Sequence, residues 1–295
     1  MRNFAILAIS ALIVAVSLAV SGCCCCAFPA PPLPPVPPGD IGPMDHHEIT
    51  YSHAPAGNVT LDLDTEQAYL EVGPSDGPNV TVEIDTYAPE GRLDTMRRDV
   101  AFSEGNGSLG VRVKTWTERD EGVIRAEGLK RFEVRIGLPA GSKYQVTMDS
   151  VNSAINVTEL DGSAVRIKTT NALVSIRGGD YESLDVATTN GAIFARYDAN
   201  DSSFRTENAL IDIDTAQSSG TLRASTTNGL LSVTLKEGTG FNVDASITNG
   251  IITTHDGVKI DGTETLTRLK GKTPGYTGDF LLELTGVNGN IRIGY

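Results

Sequence analysis

The chain has 295 residues, a formal net charge of −13, 31 glycines and 6% aromatic residues. That length holds one long domain or two smaller ones, and the acidic balance makes nucleic acid a poor partner because its phosphates are repelled. All four cysteines are adjacent, Cys23 to Cys26, so the rest of the chain carries no disulfide and no Cys-based metal site.

Met1–Gly22 reads as a targeting segment. Arg2 is its positive start, and Phe4 to Val20 is apolar apart from Ser10 and Ser17. Small residues, Ser21 and Gly22, then precede Cys23. This resembles a lipoprotein signal, whose cleavage leaves a lipidated Cys23 at the new N-terminus. Val20 stands where the usual box favours Leu. The competing reading is an uncleaved anchor, since about 17 apolar residues is the lower limit for crossing a bilayer. Both readings place the chain outside the cytoplasm, anchored to the outer face of the cell membrane. Residues 23–45 form the lipid-attachment and spacer segment. Phe28–Pro43 is proline-rich and favours an extended polyproline helix, which holds the β-rich remainder of the chain roughly 50 Å off the membrane.

His46, His47 and His53 come next at the linker edge, beside Asp45 and Glu48. They read as solvated polar residues, with a metal site as the lesser alternative. Residues 46–140 are β-rich and irregular. Strands are expected at Val59–Leu63, Ala68–Val72, Val80–Thr86, Val100–Phe102, Leu109–Thr115 and Phe132–Leu138, where apolar and polar residues alternate. Asp94–Asp99 and Glu118–Lys130 read as charged connections. The lone tryptophan, Trp116, reads as a cap over the end of the core or as a platform on which a sugar stacks. Asn-x-Ser/Thr sequons occur at Asn58, Asn79, Asn106, Asn156 and Asn200.

Residues 141–295 carry a returning phrase: Thr-Thr-Asn-Gly or a variant, then alternating apolar residues. Its asparagines are Asn152, Asn171, Asn190, Asn208, Asn228, Asn249 and Asn288, at steps of 19, 19, 18, 20, 21 and 39. A fixed period near twenty residues marks stacked units. Asn-Gly reads as a corner because both residues tolerate positive φ. The expectation is an all-β, single-stranded parallel β-solenoid with about 20 residues per coil. In it the Asn column is structural, supplying corners and amide hydrogen bonds. The doubled step of 39 predicts an irregular coil or protruding loop over His255–Phe280, where added function is expected.

The run Phe132–Thr147, with its Leu138-Pro139-Ala140-Gly141 turn before the Asn-Gly phrases, resembles the putative adhesin domain family of bacterial and archaeal surface proteins. The likeness spans about Asn58 to Tyr295. It implies a cell-surface β-solenoid and offers no catalytic residues to carry over. Asn171 and Asn208 depart from the pattern, being followed by Ala.

The residues then favour a surface-tethered, non-enzymatic adhesin-like or structural module of the cell envelope. Its partners are the membrane, through the N-terminal lipid or anchor, and a cell-surface glycan or envelope protein. No cofactor and no metal are expected. Two alternatives stand: a polysaccharide-acting β-helix enzyme, and an envelope scaffold or sensor that binds a partner protein. Four histidines, three of them at the linker edge, leave little acid–base equipment for the first.

Overall fold

The computed structural model describes residues 44–55, 57–105, 107–118, 131–140, 144–161 and 163–295. The signal segment, Cys23 and the proline-rich spacer lie outside the described residues, as does the stretch 119–130. Among the described residues no helix is long and apolar enough to cross a membrane.

The described residues form β1 (Met44–His53), β2 (Asn58–Glu66), β3 (Ala68–Ser75), β4 (Val80–Pro89), a short 3-10 turn (Leu93–Thr95), β5 (Met96–Gly105) and β6 (Ser108–Thr117). Next come β7 (Arg131–Pro139), β8 (Tyr144–Val151), β9 (Ala154–Thr158), β10 (Ser163–Thr169), β11 (Leu173–Thr188) and β12 (Ile193–Thr206). The last are β13 (Ile211–Thr215), β14 (Thr221–Leu235), β15 (Asn242–Thr254), β16 (Asp261–Glu264), β17 (Arg268–Lys272) and β18 (Leu281–Gly294). β1 thus begins inside the stretch read as spacer, and all three linker-edge histidines are on it.

Alternation sets the strands. In β2, Val59, Leu61 and Leu63 are buried while Thr60, Asp62 and Asp64 are exposed, the signature of a strand with one wet face. The strands join into one sheet that folds at the Asn corners into two walls around a shared core. The first wall runs β5, β6, β2, β8, β10, the later halves of β11 and β12, the early halves of β14, β18 and β15, then β17 and β16. The second runs β1, β4, β7, β3, β9, the early halves of β11 and β12, β13, and the later halves of β14, β18 and β15. One column of the second wall shows why the core is continuous. Val134, Leu70, Ile155, Val174, Ile193, Ile211, Leu231, Ile291 and Ile252 stack tier on tier, all buried. Each such side chain contributes about 1.5–3 kcal/mol by leaving water.

The expected single-stranded parallel solenoid is not what the chain forms. The sheet is mixed. β1–β4, β4–β7, β5–β6, β15–β17 and β16–β17 pair antiparallel. The Asn period reports only how neighbouring parallel tiers pair; it carries no information on how the ends are closed. At both ends short turns send the chain back on itself, so antiparallel strands cover edges that would otherwise be open.

Chain order is also broken at both ends. β2 lies between β6 and β8, and β3 between β7 and β9. β18 lies between β14 and β15. The doubled Asn step therefore joins two adjacent tiers. His255–Phe280 holds the hairpin β16–β17, which covers the early half of β15.

Candidate functional site

The seven asparagines lie on one corner between the walls. They form a single line of side-chain amides, each Nδ2 donating to the Oδ1 of the next. Asn171 donates to Asn152 at 2.7 Å, Asn190 to Asn171 at 3.0 Å and Asn208 to Asn190 at 2.8 Å. Asn228 donates to Asn208 at 2.7 Å, Asn288 to Asn228 at 2.7 Å and Asn249 to Asn288 at 2.9 Å. The spatial order is thus 152, 171, 190, 208, 228, 288, 249.

The corner does not depend on positive φ. Of the seven, only Asn152 has it, at 57°, and of the four following glycines only Gly289, at 139°. Glycine is needed at the others because the tiers touch. A Cβ on Gly191 would stand 1.8 Å from the Ala172 carbonyl oxygen, and one on Gly229 would stand 1.9 Å from that of Ala209.

A second column, not singled out from the sequence, runs beside the amides. Thr115, Thr65, Ser150, Thr169, Thr188, Thr206 and Thr226 all point inward and are buried. Thr206 donates to the Gly191 carbonyl at 3.2 Å. The Thr169 and Thr188 hydroxyls find no partner. The signal was in the phrase itself, where Thr or Ser stands two residues before Asn152, Asn171, Asn190, Asn208 and Asn228.

The outward side of the first wall is charged. From β6 to β17 it holds nine cations: Arg112, Lys114, Arg166, Lys168, Arg205, Arg223, Arg268, Lys270 and Lys272. Eight acids share it: Asp62, Asp64, Glu66, Asp149, Asp185, Asp201, Asp244 and Glu283. A chain of net charge −13 therefore presents one wall whose charges nearly balance. Many of these charges pair across tiers, as in Lys114–Asp64 at 2.7 Å, Arg223–Glu283 at 2.5 Å and Lys270–Asp244 at 3.1 Å. Lys168 and Arg205 stand outside these pairs. They share a row with only Ala187 between them, so their Cα atoms are two tiers, about 9.6 Å, apart. Arg166 and Arg223 occupy the neighbouring row, where Asp185 faces Arg166 at 3.8 Å and Glu283 holds Arg223, so that row is of mixed charge.

Trp116 is on this wall too. It follows the inward Thr115 on β6, so its ring points outward, half-buried, and does not cover the end of the core. The Lys114 ammonium lies 6.0 Å from the ring centroid, and Arg97 sits opposite on β5, held to Glu118 by two bonds of 2.8 and 3.0 Å.

Elsewhere, polar clusters are tied up internally. On the second wall Asp85 and Glu133 are buried, 8% and 2% exposed, although they point outward. Arg135 bonds both, at 2.9 and 2.7 Å, and His46 bonds Asp85 at 3.1 Å. Burial pushes the Asp85 carboxyl up, but the hydrogen bonds from His46 and Arg135 outweigh it and hold the group below 3.8. His47 meets Arg98 at 2.6 Å and His53 meets Glu104 at 2.7 Å, so the three histidines face three different partners. Among the described residues no three His, Cys, Asp or Glu side chains are grouped to hold a metal. One shallow cleft of about 410 Å³ lies among Thr239, Lys259, Tyr276 and Tyr295 at the C-terminal end.

No family model and no curated protein sequence matches the chain. Several solved structures do. A putative cell adhesion protein from Clostridium sporogenes is 11% identical, with a TM-score of 0.41, covering 85% of this chain and 99% of that one. A putative adhesin from Parabacteroides merdae is 10% identical, with a TM-score of 0.38, covering 85% and 96%. A putative lipid binding protein from Parabacteroides distasonis is 11% identical, with a TM-score of 0.33, covering 85% and 97%. At such identities and scores these likenesses say nothing of what the chain binds.

Proposed function

We propose that this chain is a non-enzymatic, adhesin-like binding module of the cell envelope, tethered outside the cell through its N-terminal segment and making contact through its first wall. One observation carries the reading. On a strongly acidic chain, the first wall places Lys168 and Arg205, two cations outside its ion pairs, in one row, and carries the lone tryptophan on the same surface.

Physically, the wall suits an extended ligand. Its side chains are spaced by the strand separation, about 4.8 Å, so contacts recur along a line and do not converge on one reacting atom. Cations pair with carboxylate or phosphate groups, and an indole face accepts the C–H face of a sugar ring or a cation. The partner class this favours is a negatively charged envelope glycan.

The test is to incubate the protein with neutral and acidic polysaccharides and with envelope fractions, scoring binding and newly released sugar ends together. Binding to acidic glycan without release is the expected result. Release of sugar ends, abolished by a single carboxylate change, would replace this reading with an enzyme. Binding to an envelope protein alone would replace it with a scaffold, and silence in every channel would end it.

A further inference from the structure

The dipeptide Asn-Gly occurs four times in the amide ladder, at Asn190, Asn228, Asn288 and Asn249. The four positions differ in one respect. Asn190, Asn228 and Asn288 each have a ladder neighbour on both sides, so both the donor and the acceptor of the side chain are engaged. Asn249 ends the ladder. Its Nδ2 donates to Asn288, and no ladder donor meets its Oδ1.

The backbone differs in the same way. Around Asn190, Asn228 and Asn288 the chain is clamped between two tiers. Around Asn249 and Gly250 β18 lies alongside on one side, and on the other Leu266 and Thr267 hold the corner only at its flanks, the Ile252 N–H donating to the Leu266 carbonyl at 2.8 Å. The hairpin strand β17 pairs with β15 no further than Ser246, and the Ile247 N–H reaches Thr267 just beyond it. Asn249 and Asn288 are exposed, whereas Asn190 and Asn228 are half-buried.

We propose that Asn249 is a site of spontaneous covalent modification, and that the ladder protects the same dipeptide at the other three positions. The Gly250 backbone nitrogen attacks Cγ of Asn249 and gives up its proton. The Cγ–Nδ2 bond breaks, and the nitrogen leaves as ammonia with that proton. The cyclic imide is then opened by water at either carbonyl, giving aspartate or isoaspartate. Glycine is the following residue that crowds this attack least, so all four sites are chemically competent. Reaching the attacking geometry requires the amide to leave the ladder and the corner backbone to swing. At Asn249 this breaks one ladder bond; at the others it breaks two. One additional hydrogen bond slows the step by up to about tenfold, and the two-sided backbone clamp adds to that.

The product has a defined effect. It places a new negative charge at the end of the corner and removes one terminal amide bond, while the six remaining asparagines stay joined.

The experiment is to hold the full-length folded protein at mildly alkaline pH, then measure the amide-to-acid mass gain at each of the four ladder Asn-Gly peptides over time. A parallel sample is held in strong denaturant. Conversion at Asn249 should outrun the other three about tenfold or more when folded, and the four rates should converge when unfolded. Equal rates in the folded protein would overturn the proposal. So would the same ranking in denaturant, since sequence alone would then explain it. As a second readout, Asn249→Asp should leave the thermal midpoint near that of the parent, while Asn208→Asp should lower it by several degrees. Equal losses would show that the ladder end is not loose, and would contradict the proposal.

Discussion

A side-chain amide both donates and accepts, so a line of asparagines can satisfy itself along its whole length. Interior members should therefore matter more than end members. Asn208→Ala removes two ladder bonds and is expected to cost about 1–3 kcal/mol, at a net 0.5–1.5 kcal/mol per bond. Asn249→Ala removes one bond at an exposed end and should cost less than half of that in urea unfolding. Gly191→Ala should cost about 1–3 kcal/mol by overpacking, since its methyl meets the Ala172 carbonyl. The asparagines were legible in the sequence as a period, but the reason for the glycines was not. Positive φ explains only Gly289 among them, because close approach between tiers is a property of the stack, invisible in any one phrase.

Asp85 gives a pH prediction at the same scale. Its folded carboxyl is held below 3.8, so its contribution to stability is present above the unfolded value and is lost as pH falls through the folded one. Thermal midpoints measured from about pH 5 downward should fall, and Asp85→Asn should flatten that fall. An unchanged slope in the variant would place the acid sensitivity elsewhere.

Among the elements, the buried threonine column makes opposite predictions for neighbouring tiers. Thr188 has a buried hydroxyl with no partner, so Thr188→Val should stabilise by about 1 kcal/mol. Thr206 bonds the Gly191 carbonyl, so Thr206→Val should destabilise by a similar amount. Changes of the same sign in chemical denaturation would mean that the column does not work tier by tier. The sequence placed the strands of the irregular first part well, because β2, β3, β4, β6 and β7 alternate clearly. It missed β1, where Asp45, His46, His47 and Glu48 look like linker. Among the described strands β1 pairs only with β4, as an edge strand, and an edge tolerates polar residues that an inner strand does not. The stretch Asp94–Asp99, read as a connection, begins as the 3-10 turn and passes into β5 at Met96.

For the whole molecule, the instructive feature is how the ends are closed. At each end the outermost parallel tier is separated from its chain neighbour by an inserted one, and antiparallel strands lie beyond it. The period in the sequence could not reveal this, because Asn288 keeps the same corner whether it follows Asn249 in space or precedes it. The grouping of these cations was hidden for a related reason. Lys168, Arg205, Arg166 and Arg223 are scattered over 58 positions of sequence, and only the register of β10, β12 and β14 brings them onto one wall. Net charge alone pointed the other way.

The most direct measurement is binding to acidic envelope glycan by paired charge-reversal variants, followed by the fluorescence of Trp116. The first variant is Lys168→Glu with Arg205→Glu on the first wall. The second is Arg177→Glu with Arg196→Glu, two exposed arginines on the second wall. All four sites are exposed, so both variants should keep the thermal stability of the parent. Loss of binding in the first variant, with binding retained in the second, is the predicted result. Retained binding in the first, or equal loss in both, would contradict the assignment of the first wall as the contact surface.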